Sequence, residues 1–185
     1  MYIVQTVPPA NEPISLADAK TFMRMLGIDE DDTLIESMIA ASREYAENYT
    51  NRQFESATFE LYLSCFEQDL KLPKNPIKTI SKIEYMDEDG NYQILADTNY
   101  YLYGENDIFK VHFEDTESHK EHKNAIKITF ASGYTTVPTS IISWMKIKVS
   151  TLYEHREQFV VGVPINEFSD NLVNKMLDFY KIRSI

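Results

Sequence analysis

The chain has 185 residues, 43% of them apolar and 12% aromatic, with a formal net charge of −11. That length holds one domain, or a domain carrying a sizeable insert, and the composition supports a packed core rather than disorder. The acidic balance argues against a protein that grips nucleic acid by its phosphates. No apolar run approaches a membrane span, the first residues lack the regions of a secretory signal, and the lone Cys65 excludes a disulfide framework and suits a reducing cytosol.

Residues 1–13 contain Pro8, Pro9 and Pro13 and read as an extended arm. Ser15, with Asp18 three residues on, is a helix-start signal, because a side-chain oxygen there accepts from unpaired backbone N–H groups. Leu16, Ala19, Phe22, Met23 and Leu26 recur at helical spacing, and Gly27 offers a stop, so a helix with this apolar stripe is predicted over 15–26. The acids Asp29 to Asp32 suit the positive end of a second, longer helix over 31–51. Leu34, Ile35, Met38, Ile39, Ala41, Ser42, Tyr45, Ala46 and Tyr49 form its expected inner stripe. Glu36, Arg43, Glu44, Glu47 and Asn51 mark its expected wet side.

After Phe54 the period changes to that of strands. Thr58 to Phe66, Leu70 to Leu72, Ile77 to Tyr85, Tyr92 to Leu95, Asn99 to Tyr103, Ile108 to Phe113 and Ala125 to Phe130 are rich in β-branched and aromatic residues. The run Asp87-Glu88-Asp89-Gly90-Asn91 is a strong turn signal, and Gly133 closes the series. Turns at this spacing predict a small antiparallel sandwich or barrel. At Val137-Pro138 the helical period returns. Ile141, Ile142, Met145, Val149, Leu152 and Tyr153 predict a helix over 138–156, packed beside the 31–51 helix with Met38, Ile39, Ile142 and Met145 buried. Phe159 to Pro164 is an apolar loop. A last helix over 168–180 carries Leu172, Met176, Leu177 and Tyr180 on one side.

Side-chain chemistry is sparse. His119 and His122 are three apart among acids, which on one helix face could hold a metal, but the segment lacks an apolar stripe and reads as a solvated loop. Asp87 to Asn91 is too short for a calcium loop. Cys65 lies among Tyr62, Leu63 and Phe66 and reads as a core residue, and His155 suits a helix end. There is no phosphate-binding or nucleophile-elbow motif. The expectation is a protein that is not an enzyme and needs no cofactor or metal.

Three stretches resemble one family: Pro13 to Lys20, Asp31 to Ile35 and Ala40 to Arg52. They are similar to the opening of the head–tail connector proteins of tailed bacteriophages, also called adaptor or head-completion proteins. The likeness returns in Gly133-Tyr134, Val137-Pro138, Leu152 to Glu157, Val160-Val161-Gly162 and Leu177 to Lys181. The middle of the chain matches more loosely, mainly at Leu70 to Pro73, Pro76-Ile77, Ile80, Ile83, Tyr85, Asp87 to Gly90 and Tyr100.

The resemblance implies an α+β fold: an α-helical connector core from 1–54 and 135–185, with the antiparallel β segment 55–134 inserted. It implies a structural protein of the virion neck, made in the bacterial host cytoplasm and forming a homo-oligomeric ring, typically of twelve subunits. The ring sits beneath the portal protein, extends the DNA channel without sequence-specific DNA binding, and offers a docking surface to a stopper or tail-completion protein. No membrane is involved. In this frame Phe168 to Leu177 is expected to dock on the subunit itself, while Phe179, Tyr180, Ile182, Arg183 and Ile185 reach the portal. Glu36, Arg43, Glu44, Glu47 and Arg52 are expected at the subunit interface, and Asp87, Glu88, Asp89 and Asn91 face the stopper or tail. The alternative is a β-rich ligand-binding module whose tyrosines, Tyr85, Tyr92, Tyr100, Tyr101 and Tyr103, form a stacking surface. A hydrolase would need a pocket of perturbed ionisable groups, to which no residue pattern points.

Overall fold

The computed structural model describes residues 1–155 and 167–182, without the side chains of 167–172. The chain divides into a β unit, Met1–Ala10 with Glu55–Tyr134, and a helical unit, Asn11–Phe54 with Thr135–Ile185.

The β unit contains β1 (Tyr2–Val7), β2 (Ala57–Leu63), β3 (Asp69–Lys71), β4 (Ile77–Met86), β5 (Tyr92–Ile94), β6 (Tyr100–Glu105), β7 (Ile108–Phe113) and β8 (Ile126–Ser132). They form a five-stranded antiparallel sheet in the order β1-β2-β8-β4-β5 and a three-stranded one in the order β3-β7-β6. Strict alternation in β2 and β8 buries Phe59, Leu61, Ile128 and Phe130. Their register sets Phe59 opposite Phe130 and Leu61 opposite Ile128. Leu70, Val111 and Phe113 of the smaller sheet join the same apolar cluster. Each such side chain removed from water contributes roughly 1.5–3 kcal/mol, which makes this the unit's main stabilising feature. Gly133 sits at φ +135, where a Cβ would lie 2.7 Å from the backbone of Glu55, so the strand exit admits no larger residue without strain.

The helical unit contains α1 (Leu16–Met23), α2 (Asp32–Thr50), α3 (Thr139–Glu154) and α4 (Glu167–Asp178). Ser15 caps α1 by accepting from the Asp18 N–H at 3.0 Å. The helix ends earlier than Gly27, because Arg24 takes the left-handed conformation and its N–H bonds back to the last turn. Asn51 ends α2 in the same way. α2 and α3 pack together, with Ile35, Ile39, Ile141, Met145 and Val149 buried and Met38 and Ile142 half-buried. Tyr153 Oη donates to Asp31 Oδ2 at 2.5 Å, tying the end of α3 to the start of α2.

Three expectations change. Residues 2–7 are not a free arm but an edge strand of the β unit; Tyr-Ile-Val-Gln-Thr-Val is a strand-forming run ahead of the prolines. The buried face of α2 runs through Ile35, Ile39, Ser42, Arg43, Ala46, Glu47 and Thr50, so Arg43 and Glu47 are inside while Leu34, Ala41 and Tyr45 are exposed. Burial of those two charges is possible because they neutralise each other. On α1 the buried residues are Ala19 and Lys20, while Phe22 and Leu26 face solvent. Lys20 turns inward because its Nζ lies 2.7 Å from both Asp29 and Asp32.

Candidate functional site

No single cleft gathers the residues singled out by sequence; they fall on separate surfaces. The first is the end of α2 and the segment that follows α4. Leu177 is fully buried, and beyond it the backbone is held by hydrogen bonds to α2 and its cap. The Ile182 N–H donates to Thr50 O at 2.9 Å, Asn51 Nδ2 donates to Ile182 O at 3.3 Å, and Arg52 Nε donates to Tyr180 O at 2.6 Å. Tyr49 Oη donates to Asp178 Oδ1 at 2.6 Å, which pushes the tyrosine pKa upward, and Lys181 Nζ sits 4.2 Å from the Tyr49 ring centre. Tyr180 and Ile182 are thus anchored on their own subunit, and Ile182 is only 9% exposed. Docking at home therefore continues past Leu177, where the sequence reading ended it. Phe179 is 92% exposed and offers a free aromatic ring. Arg183, Ile185, the side chains of Phe168 and Leu172, and the Phe159–Pro164 loop lie outside the described residues.

The second surface is the polar side of α2. Arg43 Nε donates to Glu12 Oε2 at 2.8 Å and its Nη1 to Glu47 Oε2 at 2.9 Å. The other Glu47 oxygen accepts from Gln53 Nε2 at 2.7 Å and from the Phe54 N–H at 2.8 Å. Burial alone would lower the Arg43 pKa, but the bond to Glu12 and the charge of Glu47 raise it above its ordinary value. Arg43, Glu47 and Arg52 are thus internal clasps of this unit; Glu36 and Glu44 remain exposed.

The third surface is the β4–β5 hairpin. Asp87 Oδ1 accepts from the Asn91 N–H at 2.8 Å, and Oδ2 accepts from Gln93 Nε2 at 2.8 Å. The Gln93 bond, then the backbone bond from Asn91, hold the Asp87 pKa below its ordinary value. Glu88, Asp89 and Asn91 are exposed at the tip of a turn pinned by Asp87, so the charges are presented on a fixed loop.

The tyrosines do not form one platform. Tyr85 and Tyr100 pack against the apolar cluster, and Tyr92 lies on the larger sheet, its hydroxyl on Asn124 O at 2.7 Å. Tyr101 and Tyr103 lie on the smaller sheet beside His112. Asp69 Oδ1 there accepts from Tyr103 Oη at 2.9 Å and sits 2.7 Å from His112 Nδ1, two bonds that lower the Asp69 pKa, the His112 bond most. This side-chain cluster spans β3, β6 and β7 and was not legible in the sequence, because cross-strand register brings it together. His119 packs its ring 5.6 Å from Phe66, and His122 Nδ1 accepts from the Asn124 N–H at 3.1 Å. Among the described residues no three His, Cys, Asp or Glu side chains are grouped to hold a metal ion. Cys65 is exposed rather than in the core. No described helix is long and apolar enough to cross a membrane.

These surfaces and pinned segments belong to an α+β protein with four helices and two antiparallel sheets among the described residues. Residues 13–103 match the family model of the phage gp6-like head-tail connector proteins. Over these residues, just under half of its length, the chain is similar to the head–tail connector family. No curated protein matches the chain. Among solved structures, a chain in the neck of an empty gene transfer agent (GTA) particle, computed with C6 symmetry, matches at TM-score 0.80 and 15% identity, over 100% of this chain and 98% of that one. A chain of the virion of the native GTA particle matches at TM-score 0.80 and 16% identity, with the same coverage. A chain from the neck of the native particle, computed with C12 symmetry, matches at TM-score 0.73 and 16% identity, again over 100% and 98%. At these identities the likeness is one of fold.

Proposed function

We propose that this protein is the ring-forming head–tail adaptor of a phage-like particle. The observation that carries the reading is the correspondence of fold over the full length of both units with a chain in a particle neck, joined to the connector-family match over residues 13–103. In this reading copies of the chain, twelve in the ordinary case, encircle the DNA path beneath a portal protein. The exposed Phe179, together with Arg183 and Ile185 beyond the anchor at Ile182, reaches the portal. The Asp87–Asn91 turn faces a stopper or tail-completion protein, and Glu36 and Glu44 lie toward neighbouring subunits. A net charge of −11 suits a conduit, since DNA has to slide past during packaging and ejection, and tight phosphate contacts would hold it. The protein then does mechanical and architectural work, without catalysis or a cofactor.

The test is a cryo-EM reconstruction of particles from the producing cell, with and without the gene. The expected result is a ring of this chain between portal and tail, and heads that leak DNA or lack tails when it is deleted. Density of this chain elsewhere in the particle, or normal tailed particles without it, would count against the reading.

A further inference from the structure

On the helical unit, Phe22, Leu26 and Ile28 are 48%, 70% and 47% exposed. They are not on a loose loop. The Met25 N–H donates to Lys20 O at 2.9 Å, the Ile28 N–H to Met25 O at 3.2 Å, and buried Lys20 clamps Asp29 and Asp32. The result is a pinned apolar knob at the C-terminal end of α1. At the other end of the same helix lies an open recess of about 440 Å³, lined by Ile14, Leu16 and Ile39 with Asn11, Glu12 and Glu36 at its edge. A helix of eight residues separates the two features by roughly 12 Å, so the knob cannot fill the recess of its own chain. The charges match as well. Arg24 beside the knob and Glu36 beside the recess are both exposed, and neither makes an ion pair with a described residue. Glu12 already holds Arg43, and Lys20 bridges two of the acids next to the knob, Asp29 and Asp32, while Glu30 between them is exposed.

We infer that the knob of one copy seats in the recess of the next, with Arg24 of one copy paired to Glu36 of its neighbour. Two different surfaces on one chain, complementary to each other, make a heterologous contact, the kind that repeats head to tail and closes into a ring when the rotation allows. A two-fold dimer that used the same pair of surfaces would exchange knob and recess reciprocally and stop at two copies, so trimers and larger species distinguish the ring contact from it. The inference rests on the reading of the chain as a ring subunit and names the surfaces that join the subunits. An exposed apolar patch held in one shape is the expected mark of such a contact.

The experiment uses the full chain with Cys65→Ser, since that cysteine is exposed. Asn11→Cys places a thiol at the recess and Leu26→Cys one on the knob, and a short bis-maleimide joins them. The expected result is a ladder of covalent dimers, trimers and larger species from the double-cysteine variant, and no trimers from either single variant. Adding Arg24→Glu should erase the ladder, and adding Glu36→Arg to that chain should restore it. All four positions other than Leu26 are polar and exposed, and melting curves of each variant check the fold. Absence of a ladder from the double-cysteine variant, efficient dimers from Leu26→Cys alone, or a ladder untouched by Arg24→Glu overturns the contact. The adaptor reading fails by a different result, the absence of wild-type chain from the particle neck, so the two failures are distinguishable.

Discussion

Arg52 Nε donates to the carbonyl oxygen of Tyr180 at 2.6 Å, joining the residue just past α2 to the residue just past α4. The bond bridges two stretches far apart in sequence and holds the backbone at Tyr180 against the end of α2. Arg52→Ala removes the donor and leaves a carbonyl without this partner. The expected cost is about 1.5–3 kcal/mol, the range for a hydrogen bond to a charged group, read as a lower urea midpoint. An unchanged midpoint would mean that the tail is held by its other bonds alone.

Two truncations separate anchoring from reach. Stopping the chain after Asp178 deletes the Ile182 bonds to Thr50 and Asn51 and the Tyr180 bond to Arg52, so melting temperature should fall. Stopping after Ile182 keeps all three, so the monomer should melt as the full chain does, while attachment to portal-bearing heads is lost. Wild-type occupancy on heads by the second truncation moves the portal contact to Phe179 or elsewhere.

Arg43→Glu sets a third carboxylate against Glu12 and Glu47 in a buried position. Breaking a buried pair in this way costs about 3–5 kcal/mol. The expected result is loss of helical circular dichroism at moderate urea, before any question of assembly arises. A stably folded Arg43→Glu monomer would return Arg43 to the list of candidate interface residues.

Ile39 is 2% exposed on the face of α2 that meets α3. Ile39→Asp buries a charge with no partner and should destabilise by several kcal/mol, on the order of 4. A differential scanning calorimetry trace with the wild-type melting temperature would contradict the packing of these two helices.

Glu84 of β4 lies directly across from Lys127 of β8, with 2.7 Å between their charged atoms, and Lys82 lies 3.0 Å away on the other side. Burial alone would raise the Glu84 pKa, but the Lys127 and Lys82 bonds outweigh it and hold the carboxyl below its ordinary value of 4.5. A carboxylate whose folded pKa is depressed stabilises the fold fully above its unfolded pKa and loses that contribution as pH falls through the folded value. The wild type should therefore exceed Glu84→Gln in urea midpoint at neutral pH, and the gap should narrow as pH falls below 4.5 and through the depressed folded value. A gap that is constant with pH would show that the ion pair is not its source.

Much of this architecture was legible because periodicity reports burial directly. The four helices begin and end within a few residues of their expected bounds, and all seven strands from Thr58 onward correspond to alternating or β-rich runs. What was missed depends on partners. Tyr2–Val7 looked like an arm because the prolines after it dominate the local pattern, yet its β-branched run needs only β2 to become an edge strand. Arg43 and Glu47 looked wet because charge usually is; their burial follows from Glu12 and Gln53, which no helical period can reveal. Phe22 and Leu26 looked like core because they keep the spacing of Ala19, and the inward turn of Lys20 reverses that. The Asp69–His112–Tyr103 cluster depends on pairing among three strands, information that a linear pattern does not contain. Of the surfaces proposed for assembly, the exposed turn at Asp87–Asn91 and the apolar chain end were visible in advance, while the knob and recess on α1 were not.

The alternation of the chain between its two units has a consequence for synthesis. β1 leaves the ribosome before the other strands and has no strand to pair with until β2 follows, after both α1 and α2 have been made. Those two helices in turn wait through the whole of the remaining β unit for α3, against which α2 buries its face. Each unit is thus completed by chain made after the other has begun, which gives the nascent protein a long interval with apolar surface uncovered. Slow codons placed within residues 55–134 should therefore raise the insoluble fraction more than the same codons placed after Glu154.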